Sequence, residues 1–490
     1  MSNFVNNILK LVSGSIIAQV LGFLIYPIIT RMYLPEDFGT FQLFISISSV
    51  LAIISCLSYQ VPIMLPKSDE DSANIVALCV ILIISFSIIS GFVFTHYSNQ
   101  IGNILNTPEL CTYMRYVPII IFLNGLFFVL NSWLARRVKF GSVATSRVFN
   151  SLSSKLIQVG MGINKPSAIG LIFGYISGYL IANAVMLKSL KSDVRLFKNI
   201  SYQNIKKVAI RYKRFPRYSL MAQLINTSSF QLIPFMLAYF FSSTVVGHYS
   251  LANQLLVLPM ILIGNATDNV FFQRASEMKN KTGNIKDILS GVHRRLISIG
   301  LFPTIVFMII GEDIFSLFLG SNWYTSGIYA KILAPWVYLR FIYFPLSSIF
   351  DILEKQNLEL YFNIATVIAI FVSLYVGGSY GNPITSLILL STIGVLLWGS
   401  ANLYILKISE VKFAEEARVF IKYLSIALLV STPLIVIKYF SLPTYTIFIA
   451  TGISALIYYL IVIHEDITLR NELYKAVKII KYKLRFRTNE

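Results

Sequence analysis

Arg147 and Lys155 are the residues of this chain best placed to bind a ligand, because each interrupts a long apolar stretch. Eight residues separate them, which is about 80° around a helix, so both face one side of it, two turns apart. The stretch 140–163 is also rich in Ser and Asn, a composition typical of a helix that lines a water-filled wall. A cation among apolar side chains is costly and is expected to face a cavity or a partner.

Other cations interrupt or flank apolar stretches. Arg340 and, less centrally, Lys331 lie in 325–350. Four more lie at the ends of such stretches and are expected to extend to lipid headgroups: Arg31, Arg115, Lys165 and Lys438. Arg31 is retained with Arg147, Lys155, Arg340 and Lys331 as a candidate ligand contact. Asp268 completes the candidate set, because it is the only acidic residue expected near these cations. Cations without acidic partners imply an anionic ligand, and phosphate fits a guanidinium or ammonium group well.

No arrangement typical of an enzyme is present. The four histidines are far apart in sequence, and the three cysteines have no metal-ligand spacing. No Gly-rich phosphate loop or zinc-binding helix motif occurs. The sequence therefore predicts a protein that is not an enzyme, with no catalytic residue, no metal and no cofactor.

The composition requires a membrane to position these residues. The chain is 56% hydrophobic and only 13% charged, with a mean hydropathy of +0.70, whereas soluble domains carry about 25% charged residues. Spanning a bilayer takes about 20 helical residues. The apolar stretches predict about fourteen transmembrane helices in an all-α polytopic protein, at 8–29, 38–60, 73–96, 113–135, 140–163, 167–187, 219–241, 244–267, 292–311, 325–350, 357–379, 383–406, 419–438 and 442–464.

The distribution of Lys and Arg predicts the orientation of these helices. Of the 41 Lys and Arg residues, 33 fall in every second inter-helix segment or at the termini. Basic loops are retained in the cytoplasm, so both termini are predicted to be cytoplasmic. The net charge of +19 is therefore attributed to topology and to anionic phospholipids, and not to nucleic acid.

A weak internal repeat predicts two six-helix lobes. Ser15–Val20 resembles Ser219–Leu224, and Phe38–Phe41 resembles Val246–Tyr249 in order and spacing. Repeated halves with a binding site between them are a transporter architecture. The predicted organisation is a first lobe at 1–187, a basic connector at 188–217, a second lobe at 218–406, two additional helices at 407–464 and a basic cytoplasmic tail at 465–490.

Several segments resemble a known family. Thr30–Gly39, Arg211–Ser219, Val246–Ala252 and Phe271–Glu277 are similar to segments of Wzx-type polysaccharide flippases of the MOP superfamily, which also includes MATE exporters and the lipid II flippase. The resemblance covers most of residues 10–410. Arg217 departs from it, because family members often carry an apolar residue there.

The resemblance implies a flippase of the bacterial inner membrane. Its substrate would be an undecaprenyl-pyrophosphate-linked oligosaccharide, a repeat unit of O-antigen (lipopolysaccharide) or capsule, moved from the cytoplasmic to the periplasmic leaflet by alternating access. It implies coupling to a H⁺ or Na⁺ gradient, with no residue assigned, and a polymerase and glycosyltransferases as partners. The residues agree, since a cationic cavity suits a pyrophosphate.

Two alternatives remain open from sequence. A MATE-like exporter of small molecules would more naturally carry acidic residues in the first lobe, where this chain carries cations. A membrane polysaccharide polymerase or glycosyltransferase would show a sizeable external loop with catalytic residues, and the predicted external loops are short.

Overall fold

The computed structural model describes residues 2–440, 443–466 and 470, and it is helical throughout, with no strand in those ranges. The predicted basic tail lies almost entirely outside the described residues. The helices are α1 (Ser2–Met32), α2 (Pro35–Ser55), α3 (Asp69–Ile104), α4 (Leu110–Met114), α5 (Val117–Arg136), α6 (Phe140–Asn164), α7 (Ala168–Lys188), α8 (Tyr202–Arg211), α9 (Leu220–Phe240), α10 (Ser243–Pro259), α11 (Asn265–Thr282), α12 (Lys286–Leu319), α13 (Tyr324–Leu346), α14 (Ile349–Ile352), α15 (Gln356–Ser379), α16 (Pro383–Ile408), α17 (Phe413–Tyr439) and α18 (Thr444–Glu465).

Eleven helical segments among the described residues are long and apolar enough to cross a membrane. The prediction of an all-α polytopic membrane protein is thus confirmed. Predicted spans one, five and seven correspond to α1, α6 and α9, which are not among the eleven. Helices α6 and α9 carry many Ser, Asn and Gln residues, which lowers their hydropathy. The count of fourteen spans stays a prediction.

The described chain divides into two compact units. Unit 1 comprises Met1–Leu255, Phe315–Tyr329 and Asn357–Gly394, and unit 2 comprises Leu256–Ile314, Ala330–Gln356 and Val395–Glu490. The boundaries pass through α10, α12, α13 and α16. The two-lobe organisation expected from the sequence stays a prediction.

In unit 1, α1 packs along α6 with the two helices running in the same direction. A Cβ added at Gly14 would meet Ala144, and one added at Gly22 would lie 2.8 Å from the Ser151 hydroxyl. That hydroxyl donates to the Ala18 carbonyl over 2.6 Å. Small residues let the backbones approach closely. Gly22 of α1 faces Ser151 of α6, and one turn further along both helices Tyr26 lies beside Lys155.

On its other side, α6 packs against α7 through the glycines of α7. A Cβ added at Gly174 would lie 2.4 Å from the Gln158 side chain, and one at Gly178 would lie 2.9 Å from the Asn150 carbonyl. The glycine spacing in this stretch therefore serves helix packing and not ligand binding, as small residues commonly do between membrane helices.

The first turns of α2 and α10 cross through two glycines, both in unit 1. A Cβ added at Gly39 would lie 1.7 Å from the carbonyl oxygen of Ser243, and one added at Gly247 would lie 1.8 Å from that of Pro35. The contact is reciprocal, because each glycine faces the residue four positions before the other. These glycines occupy matching positions in the internal repeat, so the structure brings the repeated segments together.

The predicted connector at 188–217 folds onto unit 1. A 3₁₀ helix at Lys191–Asn199 leads into α8, whose Val208 is buried with Tyr212 in the hydrophobic core of the unit. Tyr59 donates to the Ala209 carbonyl over 3.0 Å. The connector is therefore part of the packed unit.

Asp193 attaches the start of this connector. Its carboxylate, which is 2% exposed, accepts from Lys139 over 2.9 Å and from the Trp133 indole over 3.2 Å. Burial would raise the pKa of Asp193, but these two hydrogen bonds and the charges of Lys139 and Arg137 outweigh it and hold the pKa below its ordinary value. The ionised carboxylate is thus stabilised in the folded state.

The Asp193→Asn variant should unfold at a lower temperature than the wild type at pH 7, with a loss of about 2 kcal/mol for a charged, buried hydrogen-bonding group. Because the folded-state pKa is depressed, the contribution is present above the ordinary Asp pKa and is lost as pH falls through the folded value. Thermal unfolding in detergent at pH 7 and below about pH 4 should show the gap closing in acid. Glu109→Gln, at an exposed carboxylate, is the control. A gap independent of pH would contradict the assignment.

Candidate functional site

Lys155 projects from α6 into a small polar cluster in unit 1. Its ammonium lies 4.2 Å from the ring centroid of Tyr26 and 3.1 Å from the Gln158 amide oxygen. The cation is half-buried, and neither partner neutralises it. A cation held by an aromatic face and a neutral amide keeps its charge available for an anion.

The neighbours of Lys155 are fixed by bonds of their own. The Tyr26 hydroxyl lies 2.9 Å from Oε1 of Gln254 on α10. The buried Gln158 amide donates to the Leu171 carbonyl over 3.1 Å, and the Gln158 carbonyl accepts from Tyr33 over 2.6 Å. Elements α1, α6, α7 and α10 therefore position the cluster.

Arg147 lies two turns before Lys155 on α6 and is also half-buried. Eight helical residues correspond to a rise of about 12 Å. Both candidate cations of α6 thus belong to unit 1, and both interact with neighbouring residues. Their role in ligand binding stays a prediction.

Arg31, the third candidate in unit 1, is bonded to protein. Its guanidinium donates to the Leu317 carbonyl over 2.9 Å. Next to it, the Thr30 carbonyl accepts from the buried Trp323 indole over 2.8 Å. Arg31 therefore joins the end of α1 to the segment 315–329, and its extension to lipid headgroups stays a prediction.

Lys331 differs from the expectation of a cation without an acidic partner. Its ammonium lies 2.9 Å from Glu312, which also binds Lys438 at 2.9 Å. Lys438 further contacts Asp313 at 3.2 Å. The prediction was wrong because α12 continues to Leu319, which places both acidic residues on the helix beyond its predicted end at residue 311. Lys438 is likewise held by carboxylates, where headgroup contact was expected.

Arg340 and Asp268 complete the candidates, and both belong to unit 2. Arg340 is half-buried on α13, and Asp268 is half-buried on α11, which packs beside α14. Within unit 1 the structure brings Lys155 together with Tyr26 and Gln254, and within unit 2 it brings Lys331 together with Glu312.

Sequence reasoning missed the neutral members of the cluster. Tyr26 and Gln254 lie in stretches whose apolar character drew no attention to them. An available signal was the amide of Gln254 in a stretch, 218–267, without any charged residue. An amide in an apolar stretch favours a polar contact, and the Gln254 amide exchanges hydrogen bonds with the Tyr26 hydroxyl.

Comparison with known families identifies the chain. Residues 28–327 match the family described as polysaccharide biosynthesis protein. The chain belongs to this family. No curated protein matches it by sequence. The resemblance drawn from the sequence motifs is thereby confirmed at the level of the family.

Solved structures show that this polysaccharide biosynthesis protein has the fold of MOP transporters. The lipid II flippase MurJ in an inward closed conformation superposes with a TM-score of 0.74 at 13% identity, covering 95% of this chain and 99% of that one. The MATE transporter VcmN of Vibrio cholerae gives 0.54 at 14% identity, covering 83% and 96%. A MOP superfamily transporter from Pyrococcus furiosus gives 0.51 at 14%, covering 81% and 95%.

Proposed function

We propose that the protein is a flippase for lipid-linked oligosaccharides and that the Lys155 cluster binds the pyrophosphate of the substrate. The substrate would be an undecaprenyl-pyrophosphate-linked repeat unit of O-antigen or capsule. The observation that carries the proposal is the ammonium of Lys155, which contacts Tyr26 and Gln158 and forms no ion pair with a carboxylate of the described residues. Membership in a polysaccharide biosynthesis family supports a saccharide cargo.

The chemistry of the cluster suits such a headgroup. A pyrophosphate presents several anionic oxygens, and charge-assisted hydrogen bonds to them are about twice as strong as neutral ones. The Gln254 amide and the Tyr26 hydroxyl can exchange hydrogen bonds with sugar hydroxyls. Arg147, about 12 Å along α6, would contact the more distant part of the headgroup, and the lipid chain would stay in the bilayer.

The proposed orientation places both termini in the cytoplasm of a bacterial cell, with the protein in the inner membrane. The distribution of Lys and Arg supports this orientation. The parallel packing of α1 and α6 agrees with it, since first and fifth spans cross a membrane in the same direction. The headgroup would then be received on the cytoplasmic side and released to the periplasm by alternating access. The proposal also includes coupling of transport to a H⁺ or Na⁺ gradient and docking of a polymerase or glycosyltransferases. No residue is assigned to either role.

A transport assay tests this proposal. Purified protein is reconstituted in vesicles that contain an undecaprenyl-pyrophosphate oligosaccharide with a fluorescent sugar, and a membrane-impermeant reagent quenches the outer leaflet. With active protein, the quenched fraction should rise from about half toward completion. Unchanged quenching relative to empty vesicles, together with efflux of organic cations, would contradict the flippase and favour the MATE-like alternative.

A further inference from the structure

Unit 2 contains two adjoining cavities that lie outside the Lys155 cluster. The inner cavity has a volume of about 320 Å³ and the outer one about 670 Å³, within the usual range for ligand pockets. They share three lining residues, Leu262, Ile263 and Ile299. The two cavities therefore adjoin at these three apolar residues, which form a waist between them.

The inner cavity has an apolar surface although three of its lining residues carry hydroxyl groups. Each hydroxyl is close to a carbonyl of α12: Thr304 to Gly300 at 2.7 Å, Tyr338 to Ile297 at 3.4 Å, and Tyr459 to Ile299 at 3.1 Å. Because these groups are already bonded, they offer little to a polar ligand. The cavity suits a hydrocarbon chain.

The outer cavity carries charges of both signs at its mouth. Arg274 and Arg295 line it together with Asp287. Arg295 contacts Asp466 at 3.0 Å, whereas the exposed Arg274 has no carboxylate partner among the described residues. A mouth with both an available guanidinium and a carboxylate is complementary to a headgroup that carries phosphate and ammonium.

The lining along α12 is long enough to accommodate a lipid of one leaflet. Lining residues extend along α12 from Asp287 to Phe307, which is about 30 Å of helix. A headgroup region and the chains of one leaflet together occupy about 20 Å of a bilayer. The waist lies beside the π-helical turn Met260–Gly264, and such turns are frequent at functional sites.

We infer that unit 2 binds a phosphatidylethanolamine molecule, with its phosphate at Arg274, its ammonium at Asp287 and an acyl chain in the inner cavity. An anionic lipid such as phosphatidylglycerol or undecaprenyl phosphate would place no cation at Asp287 and would fit the mouth less well. This inference concerns a resident lipid and is independent of the proposed transport activity.

Native mass spectrometry of the detergent-purified protein tests the site, after equilibration with equal amounts of the three lipids. Wild type should retain phosphatidylethanolamine preferentially. Arg274→Gln should lower its retention by about 10-fold, as expected for loss of a charge-assisted contact, and Arg274→Lys should restore much of it. Asp287→Asn should remove the preference over phosphatidylglycerol.

Two further variants complete the experiment. Ile299→Trp at the waist should exclude the acyl chain and lower phosphatidylethanolamine retention, provided that it elutes as a monodisperse species. Arg418→Gln, at an exposed arginine of α17 outside both cavities, should behave as wild type. Equal retention by Arg274→Gln and Arg418→Gln, or preferential retention of either anionic lipid, would overturn the inference.

Discussion

Replacing Lys155 with alanine is expected to weaken binding of an undecaprenyl-pyrophosphate oligosaccharide by about 10- to 100-fold, the equivalent of a lost charge-assisted hydrogen bond. The fold should persist, because Tyr26 keeps its contact with Gln254 and Gln158 keeps its bond to Leu171. Titration of the purified protein with labelled substrate measures the affinity. Surface polysaccharide in a complemented flippase-deficient strain measures the consequence in cells.

Matched variants separate charge from structure. Lys155→Arg preserves the cation and should retain much of the affinity, while Lys165→Ala, at an exposed lysine that ends α6, should have no effect. The double variant Lys155→Ala with Arg147→Ala should lose more than either single change. Wild-type affinity in that double variant would exclude the cluster as the pyrophosphate site.

Replacing Gly39 with alanine should destabilise the protein by about 3 kcal/mol, at the upper end of typical overpacking costs. The added methyl group would lie 1.7 Å from a backbone carbonyl oxygen, so no rotamer change relieves the contact and α2 must move away from α10. Thermal unfolding in detergent measures the loss. Gly247→Ala should behave similarly, since its methyl group would meet the Pro35 carbonyl at 1.8 Å.

Gly160→Ala provides the control for this comparison. Gly160 is also a helical glycine, but a Cβ added there meets nothing within 4 Å. Alanine should therefore be neutral or stabilise the helix by about 0.5–1 kcal/mol. Equal unfolding temperatures for Gly39→Ala and Gly160→Ala would show that the close crossing is not a constraint on the fold.

The sequence predicted an all-α membrane protein because insertion into a bilayer depends on local features. Each spanning helix needs a long apolar stretch, and the loops between helices differ in their content of Lys and Arg. The four-residue spacing of Gly174 and Gly178 is a similarly local signal, because it places small residues on one helix face, where α7 packs against α6. The count of fourteen spans stays a prediction, because α1, α6 and α9 are not among the eleven helical segments that are long and apolar enough to cross a membrane.

The polar partners were less predictable, because they depend on contacts between distant segments. Tyr26 and Gln254 are separated by 228 residues, and neither is unusual in its own stretch. The partner of Lys331 was missed for a different reason. The predicted span ended at residue 311, directly before Glu312 and Asp313, whereas α12 continues through both residues to Leu319. Helix ends are not defined by hydropathy alone.

The contacts of Lys438 bear on how far the chain can be shortened. Glu312 and Asp313 are matched by two ammonium groups, and one of these comes from α17. A chain ended at residue 406 would leave the two carboxylates of α12 with a single cation, Lys331 of α13, whereas the complete cluster is electrically neutral. Helix α17 therefore completes the charge balance of an ion cluster within unit 2, and the last pair of helices cannot be treated as a detachable appendage.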